Sequence, residues 1–93
     1  MNRTCSGCSQ KAVIVNELGL HARSAAKIAT IAQAAKSKVW IKRDGEKVDA
    51  KSVIDILTLG CGKGTEIVLA IEDRDDFNIL ESIIEMVDDG FGE

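Results

Sequence analysis

Residues 19–35 read GLHARSAAKIATIAQAA. The stretch changes character at its third residue. Asn16-Glu17-Leu18-Gly19 turns the chain, and from Ala22 to Ala35 small and aliphatic side chains recur at helical spacing: Ala25, Ala26, Ile28, Ala29, Ile31 and Ala32. Alanine favours a helix intrinsically and lets that helix lie close against a sheet. His21, the only histidine in 93 residues, falls where the helix starts.

Working outward, Lys11–Val15 is a short β-branched run that reads as a strand, preceded by a polar tail over residues 1–10. Val39 and Ile41 alternate with Trp40 and Lys42, a second strand, and Asp44-Gly45 is a strong hairpin dipeptide that returns the chain through Glu46–Asp49. Ser52 is the natural N-cap of a shorter helix over residues 51–59, with Asp55 in the capping-box place and Gly60 as the stop. Glu66–Ile71 is the most apolar strand and belongs at the sheet centre. A last helix starts at Asp75 or Asp76, with Phe77, Leu80, Ile83, Ile84 and Val87 as its apolar set, and residues 89–93 form a fraying tail. The order βαββαβα over residues 11–88 predicts a single α+β domain, one sheet with its helices on one face.

The composition narrows the function classes. Net charge is −3 with no dense Lys/Arg cluster, and Trp40, Phe77 and Phe91 are the only aromatics, which argues against a nucleic-acid surface. No apolar run approaches the roughly 20 residues of a membrane span, and the N-terminus lacks the apolar core of a signal peptide. An odd number of cysteines, three, does not suggest a disulfide framework and fits a reducing cytoplasm.

Three motifs bear on chemistry. His21 sits at a helix mouth, where backbone N–H groups lack intrahelical partners and the field favours an anion and a neutral imidazole. A neutral ring is a nucleophile, and Arg23 two residues on offers a planar fork for phosphate oxygens. Phosphoryl transfer needs positioning and charge stabilisation above all, so the amides around Ala22, Arg23 and Ser24 with His21 form a candidate phosphate site without a metal. Spacing alone favours a plainer reading, a helix cap beside a solvated arginine. Cys5-Ser-Gly-Cys8 lies in the tail, away from the strand–helix junction of a redox motif, and Cys61 and His21 complete no standard zinc spacing, so neither metal nor cofactor is expected. Gly60-Cys-Gly-Lys-Gly-Thr65 has Leu57 where a phosphate loop needs its first glycine, and Gly64 where Ser or Thr should follow the lysine. It reads as a helix stop and a tight return into the last strand.

Gly19-Leu-His-Ala-Arg-Ser-Ala-Ala26 resembles the active-site motif of the HPr family, the histidine-containing phosphocarriers of the bacterial sugar phosphotransferase system. Ala50-Lys-Ser-Val-Ile-Asp-Ile-Leu-Thr-Leu-Gly60 resembles the family's regulatory-serine region, at a matching distance from the histidine. The resemblance implies an open-faced sandwich, a four-stranded antiparallel sheet covered on one face by three helices. It implies a monomeric carrier rather than an enzyme: His21 Nδ1 accepts a phosphoryl group from phosphorylated enzyme I and passes it to an enzyme IIA domain, with Arg23 steadying the group. By similarity Ser52 is a candidate substrate of an HPr kinase/phosphorylase. The apolar residues after it, Val53, Ile54 and Leu57, are read from their own chemistry: some must face the core, and the remainder form a candidate docking patch. Ser24 stands where proline is usual, Asp55 where serine-regulated members have glycine, and the cysteine-bearing N-terminal extension is not a usual feature. The alternative is a regulatory binding module of the same fold, switched at Ser52 or His21 and engaging transcription factors or metabolic enzymes.

Overall fold

The computed structural model describes residues 8–93. Seven elements follow in the expected order: β1 (Cys8–Val13), α1 (Ala22–Ala32), β2 (Val39–Arg43), β3 (Glu46–Asp49), α2 (Val53–Thr58), β4 (Glu66–Ile71) and α3 (Phe77–Asp88). The strands form one antiparallel sheet in the order β1-β4-β2-β3, so the most apolar strand is central, as its composition demands. Asp44 and Gly45 both take positive φ, 49° and 84°, the requirement of a two-residue hairpin between Arg43 and Glu46.

Strand alternation sends one set of side chains to the helices. Ala12 lies opposite Ile67, Ile41 opposite Leu69 and Val39 opposite Ile71, all buried. Ala25, Ile28, Ala29 and Ala32 of α1, Ile56 of α2, and Leu80, Ile83, Ile84 and Val87 of α3 close the core from that side. On the open face, Lys47 lies 4.3 Å from the centre of the Trp40 ring, and the indole N–H donates to Glu72 at 2.8 Å. The cation on the ring and the bonded N–H solvate an aromatic left outside the core.

Several boundaries differ from the sequence reading. Strand β1 starts at Cys8, so residues 8–10 are strand and not tail. It starts early because its register with β4 runs on to Ile71, and it stops at Val13 where the chain turns toward His21. Helix α1 ends at Ala32, three residues short, because the carboxylate of Asp76 claims the N–H groups of Lys36 and Ser37 at 2.8 and 3.0 Å and holds a turn there. Asp76 occupies the N-cap position of α3 as expected, but its buried side chain serves that turn instead of its own helix. Phe77 is exposed and leaves the apolar set of α3. Residues 89–93 do not fray: Phe91 is buried, in a short 3₁₀ turn over Gly90–Gly92.

Candidate functional site

The loop from Asn16 to Leu20 and the first turn of α1 bring the site together. Gly19 has φ +66°, and a Cβ on it would come 2.4 Å from the carbonyl oxygen of Cys61, so only glycine fits. That same carbonyl accepts the N–H of Leu20 at 2.8 Å. The glycine-rich segment 60–64 therefore has a purpose its sequence did not disclose: it crosses under the histidine loop and fastens it. Gly60 and Gly64 have positive φ, Gly64 N–H donates to Ile14 at 2.7 Å, and Lys63 is bonded to Glu17 across the gap. As read from its spacing, it is a helix stop and a return into β4.

His21 is the N-cap of α1. Its Nδ1 accepts the backbone N–H of Arg23 at 3.3 Å, and its backbone N–H donates to Ser24 Oγ at 2.9 Å, a reciprocal pair of the capping-box type. Ser24 is wholly buried, and its hydroxyl donates within reach of the Gly19 and His21 carbonyls, each at 3.1 Å. The expected phosphate contact of Ser24 thus excludes its side chain, which is spent inside the loop. Proline, usual in the family at this point, cannot make that bond. Ala22 and Arg23 are exposed at the helix mouth.

The ring is held from its far side. Its Nε2 lies 2.7 Å from Glu93 Oε2, and Glu93 Oε1 accepts from Asn16 Nδ2 at 3.1 Å. The two contacts on the ring assign its proton. A backbone N–H can only donate, so Nδ1 carries a lone pair; a carboxylate can only accept, so Nε2 carries the hydrogen. The hydrogen bonds from His21 and then Asn16 are the main causes that lower the Glu93 carboxyl from its ordinary value, with a smaller pull from the Arg23 charge. His21 and Glu93 each keep about a quarter of their side chain exposed, 24% and 22%, so the pair lies at the surface and not in the core.

Sequence reasoning missed Asn16 and Glu93. Asn16 passed for a turn residue, and Glu93 lies 77 positions away. One signal was available: Phe91 is one of three aromatics, and burying it carries its neighbours against the fold.

The remaining candidates lie elsewhere. Ser52 caps α2, its hydroxyl accepting Asp55 N–H at 3.2 Å, and no hydrogen bond links it to His21. Ile54 and Leu57 are exposed, 74% and 39%, whereas Val53 packs partly against the core. Cys5 falls outside the described residues. Cys8 pairs with the far end of β4 at Ile71, while Cys61 precedes that strand's start, so the two thiols do not meet. Burial pushes the Cys61 thiol up, against the pull of Arg43. Among the described residues no group of three or more His, Cys, Asp and Glu side chains is placed to hold a metal, and no helix is long and apolar enough to cross a membrane.

Comparison with known proteins decides the family. The model of the phosphotransferase-system HPr component phosphorylation site matches residues 8–89. The chain belongs to the HPr family. It is 35% identical to the phosphocarrier HPr of Cupriavidus necator over 80 residues, 86% of this chain and 90% of the relative, and 37% identical to that of Pseudomonas aeruginosa over 81 residues, 86% and 90%. An HPr structure from Thermoanaerobacter tengcongensis superposes with a TM-score of 0.85 at 33% identity, covering 92% of this chain and 97% of that one. That of Bacillus anthracis gives 0.82 at 29%, covering 88% and 98%. The four-stranded open-faced sandwich is the HPr fold, and HPr is a phosphocarrier of the phosphotransferase system rather than a catalytic enzyme.

Proposed function

We propose that His21 Nδ1 is the phosphoryl acceptor and donor, loaded by phosphorylated enzyme I at the expense of phosphoenolpyruvate and unloaded onto enzyme IIA domains. The observation that supports this most is the ring itself: its proton is on Nε2, and its Nδ1 lone pair lies at the mouth of α1. The 3.3 Å bond from Arg23 N–H to Nδ1 is long, and it yields readily to a phosphorus atom. Once the N–P bond forms, the amides of the first turn and the Arg23 guanidinium face the new phosphoryl oxygens. Partial exposure suits a carrier, which must surrender the group as readily as it takes it.

The test is phosphotransfer from phosphoenolpyruvate with purified enzyme I, followed by site mapping. His21→Ala should accept no acid-labile phosphate, and a mass spectrum showing the same labile phosphate on that variant ends the proposal.

A regulatory role through α2 is a second reading, favoured by the exposure of Ile54 and Leu57 beside a half-exposed Ser52. A phosphoryl group on Ser52 would place about two negative charges beside this apolar pair and beside Asp55. Incubation with ATP and an HPr kinase/phosphorylase tests it: Ser52→Ala should abolish labelling that His21→Ala leaves intact.

A further inference from the structure

The sheet face turned away from the helices carries side chains for which the histidine site has no use. Strand register sets them in rows. Lys11 lies opposite Val68, Val68 opposite Lys42, and Lys42 opposite Lys47, so one row across all four strands reads Lys11, Val68, Lys42, Lys47. In the next row Trp40 lies opposite Ala70 and Asp49, and Lys38 and Lys47 hold their ammonium groups 5.8 and 4.3 Å from its ring centre. All four lysines are exposed. Among the described residues none of them comes within 4.0 Å of a carboxylate oxygen, whereas Lys36, Arg43 and Lys63 each do. The chain as a whole is acidic, at −3, so these cations are segregated onto one face rather than in surplus. Lysine on an edge strand guards that edge against pairing with another chain, which accounts for Lys11 on β1 and Lys47 on β3. It does not account for Lys42 on an inner strand, and like charges directly opposite, as Lys42 and Lys47 are, destabilise a strand pair.

We propose that this open face is a docking surface for a partner protein's helix that carries carboxylates along one side and lies across the strands. Charge complementarity selects the sign of the occupant, and spacing selects its shape. Strands lie about 4.8 Å apart, so the row spans about 14 Å. A helix advances about 5.4 Å per turn, so residues three or four apart on one side of it fall nearly over successive strands. The row therefore calls for acidic, apolar, acidic and acidic side chains at i, i+4, i+7 and i+11, the apolar one over Val68. Carboxylates flank the row and keep the stripe in it: Asp49 lies on the Trp40 side, and Asp44, Glu46 and Glu66 line a hollow of about 640 Å³ at the hairpin end. A nucleic acid fits less well, because Lys47 already covers the one aromatic ring a base could stack on. Residues 1–7 of the chain hold Arg3 and no carboxylate, so they are not the occupant. Docking here requires no phosphoryl group and no role for His21, so a failed phosphotransfer assay leaves it untouched.

Trp40 is the only tryptophan, so its fluorescence reads this face directly. The probe is an alanine-rich helical peptide of about 18 residues with Glu, Leu, Glu and Glu at i, i+4, i+7 and i+11. Titrated into the full chain, it should change Trp40 emission saturably. Its Kd should rise about tenfold between about 20 and about 200 mM salt, as the Debye length shrinks from about 20 to about 7 Å. Lys11→Gln with Lys42→Gln removes two exposed ion pairs, each about a threefold factor, so that protein should bind about tenfold more weakly. Lys63→Gln with Arg74→Gln makes the same change of net charge elsewhere and should bind within about twofold of the wild type. No change in Trp40 emission overturns the proposal, and so do equal losses in the two double variants, because the lysines then act only through net charge. Tighter binding of a single-stranded thymidine oligonucleotide than of the peptide overturns it in favour of a nucleic acid. Self-association of the chain without peptide, seen by sedimentation and lost in Lys11→Gln with Lys42→Gln, overturns it in favour of a second copy.

Discussion

Ser24→Ala isolates what serine contributes at the helix start. The side chain is wholly buried, and its oxygen accepts His21 N–H at 2.9 Å. Removing the hydroxyl costs one half of the reciprocal cap, about 1 kcal/mol. It also strands His21 N–H, and an unsatisfied buried donor costs about 1–3 kcal/mol. The lower end applies, because the His21 side chain is 24% exposed and water has a route to the loop. The two carbonyls reached by the hydroxyl are not stranded: Gly19 O keeps Asn16 Nδ2 at 2.9 Å, and His21 O keeps Ala25 N–H at 2.8 Å. The cap and the stranded donor describe the same bond from its two ends, so they do not add in full. Alanine returns a few tenths of a kcal/mol in helix propensity. The net loss is about 1 to 1.5 kcal/mol, or a fall in Tm of roughly 5–10 °C for a domain of this size. Urea unfolding at pH 7 with parallel thermal melts measures it. A loss below about 0.3 kcal/mol, or a stabilisation, would refute the claim that the hydroxyl holds the loop, and Ser24 would then be an ordinary small residue in a tight space.

Three further outcomes follow from the geometry. Gly19→Ala must place a Cβ 2.4 Å from Cys61 O at positive φ, so it should cost at least about 2 kcal/mol and slow phosphotransfer by displacing His21, read by urea titration and by transfer from enzyme I. The Glu17 and Glu93 carboxyls are held below their ordinary value of 4.5 by Lys63 and by His21 with Asn16, so each contributes stability above pH 4.5 that is lost as pH falls through the lowered value; the stability gap between wild type and Glu93→Gln should shrink on acidification from pH 6 to pH 3 or below. Cys61 is buried with its thiol pushed up, so a thiol reagent at pH 7.5 should leave it unmodified in the native protein and label it once urea unfolds the chain, as read by mass spectrometry.

What could be read from the sequence was what local chemistry specifies. Alanines at helical spacing gave α1, Asp44-Gly45 gave the hairpin, and the apolar run of residues 66–71 gave the central strand. Each pattern lies within one element and answers to one period or one backbone conformation. The errors arose where a distant group intervened. Helix α1 stops early because Asp76, some 40 residues on, takes the N–H groups of the turn that follows it. Phe77 fits the helical period of α3 and yet is exposed, since a period gives spacing but not which flank of the stripe the sheet covers.

The site divides along the same line. His21, Arg23 and Ser24 stand within one turn, and their placement follows from the helix that begins there. Asn16 and Glu93 are joined by a contact spanning 77 positions, and a glutamate near an apparently loose end carries no local sign of it. The glycines of segment 60–64 stand between these cases. Their spacing announced a turn, but the Cβ clash at Gly19 shows which turn it serves, for two loops 40 residues apart must approach to backbone contact if His21 is to be held at all. A histidine proposed to carry a phosphoryl group from one partner to another cannot be buried to fix its position. Its loop must instead be stiffened by backbone contacts and by a side chain on Nε2, which leaves Nδ1 to the long bond from the Arg23 N–H. That requirement accounts for glycine at position 19, a buried serine at 24 and a carboxylate at 93, three residue choices with no chemistry in common.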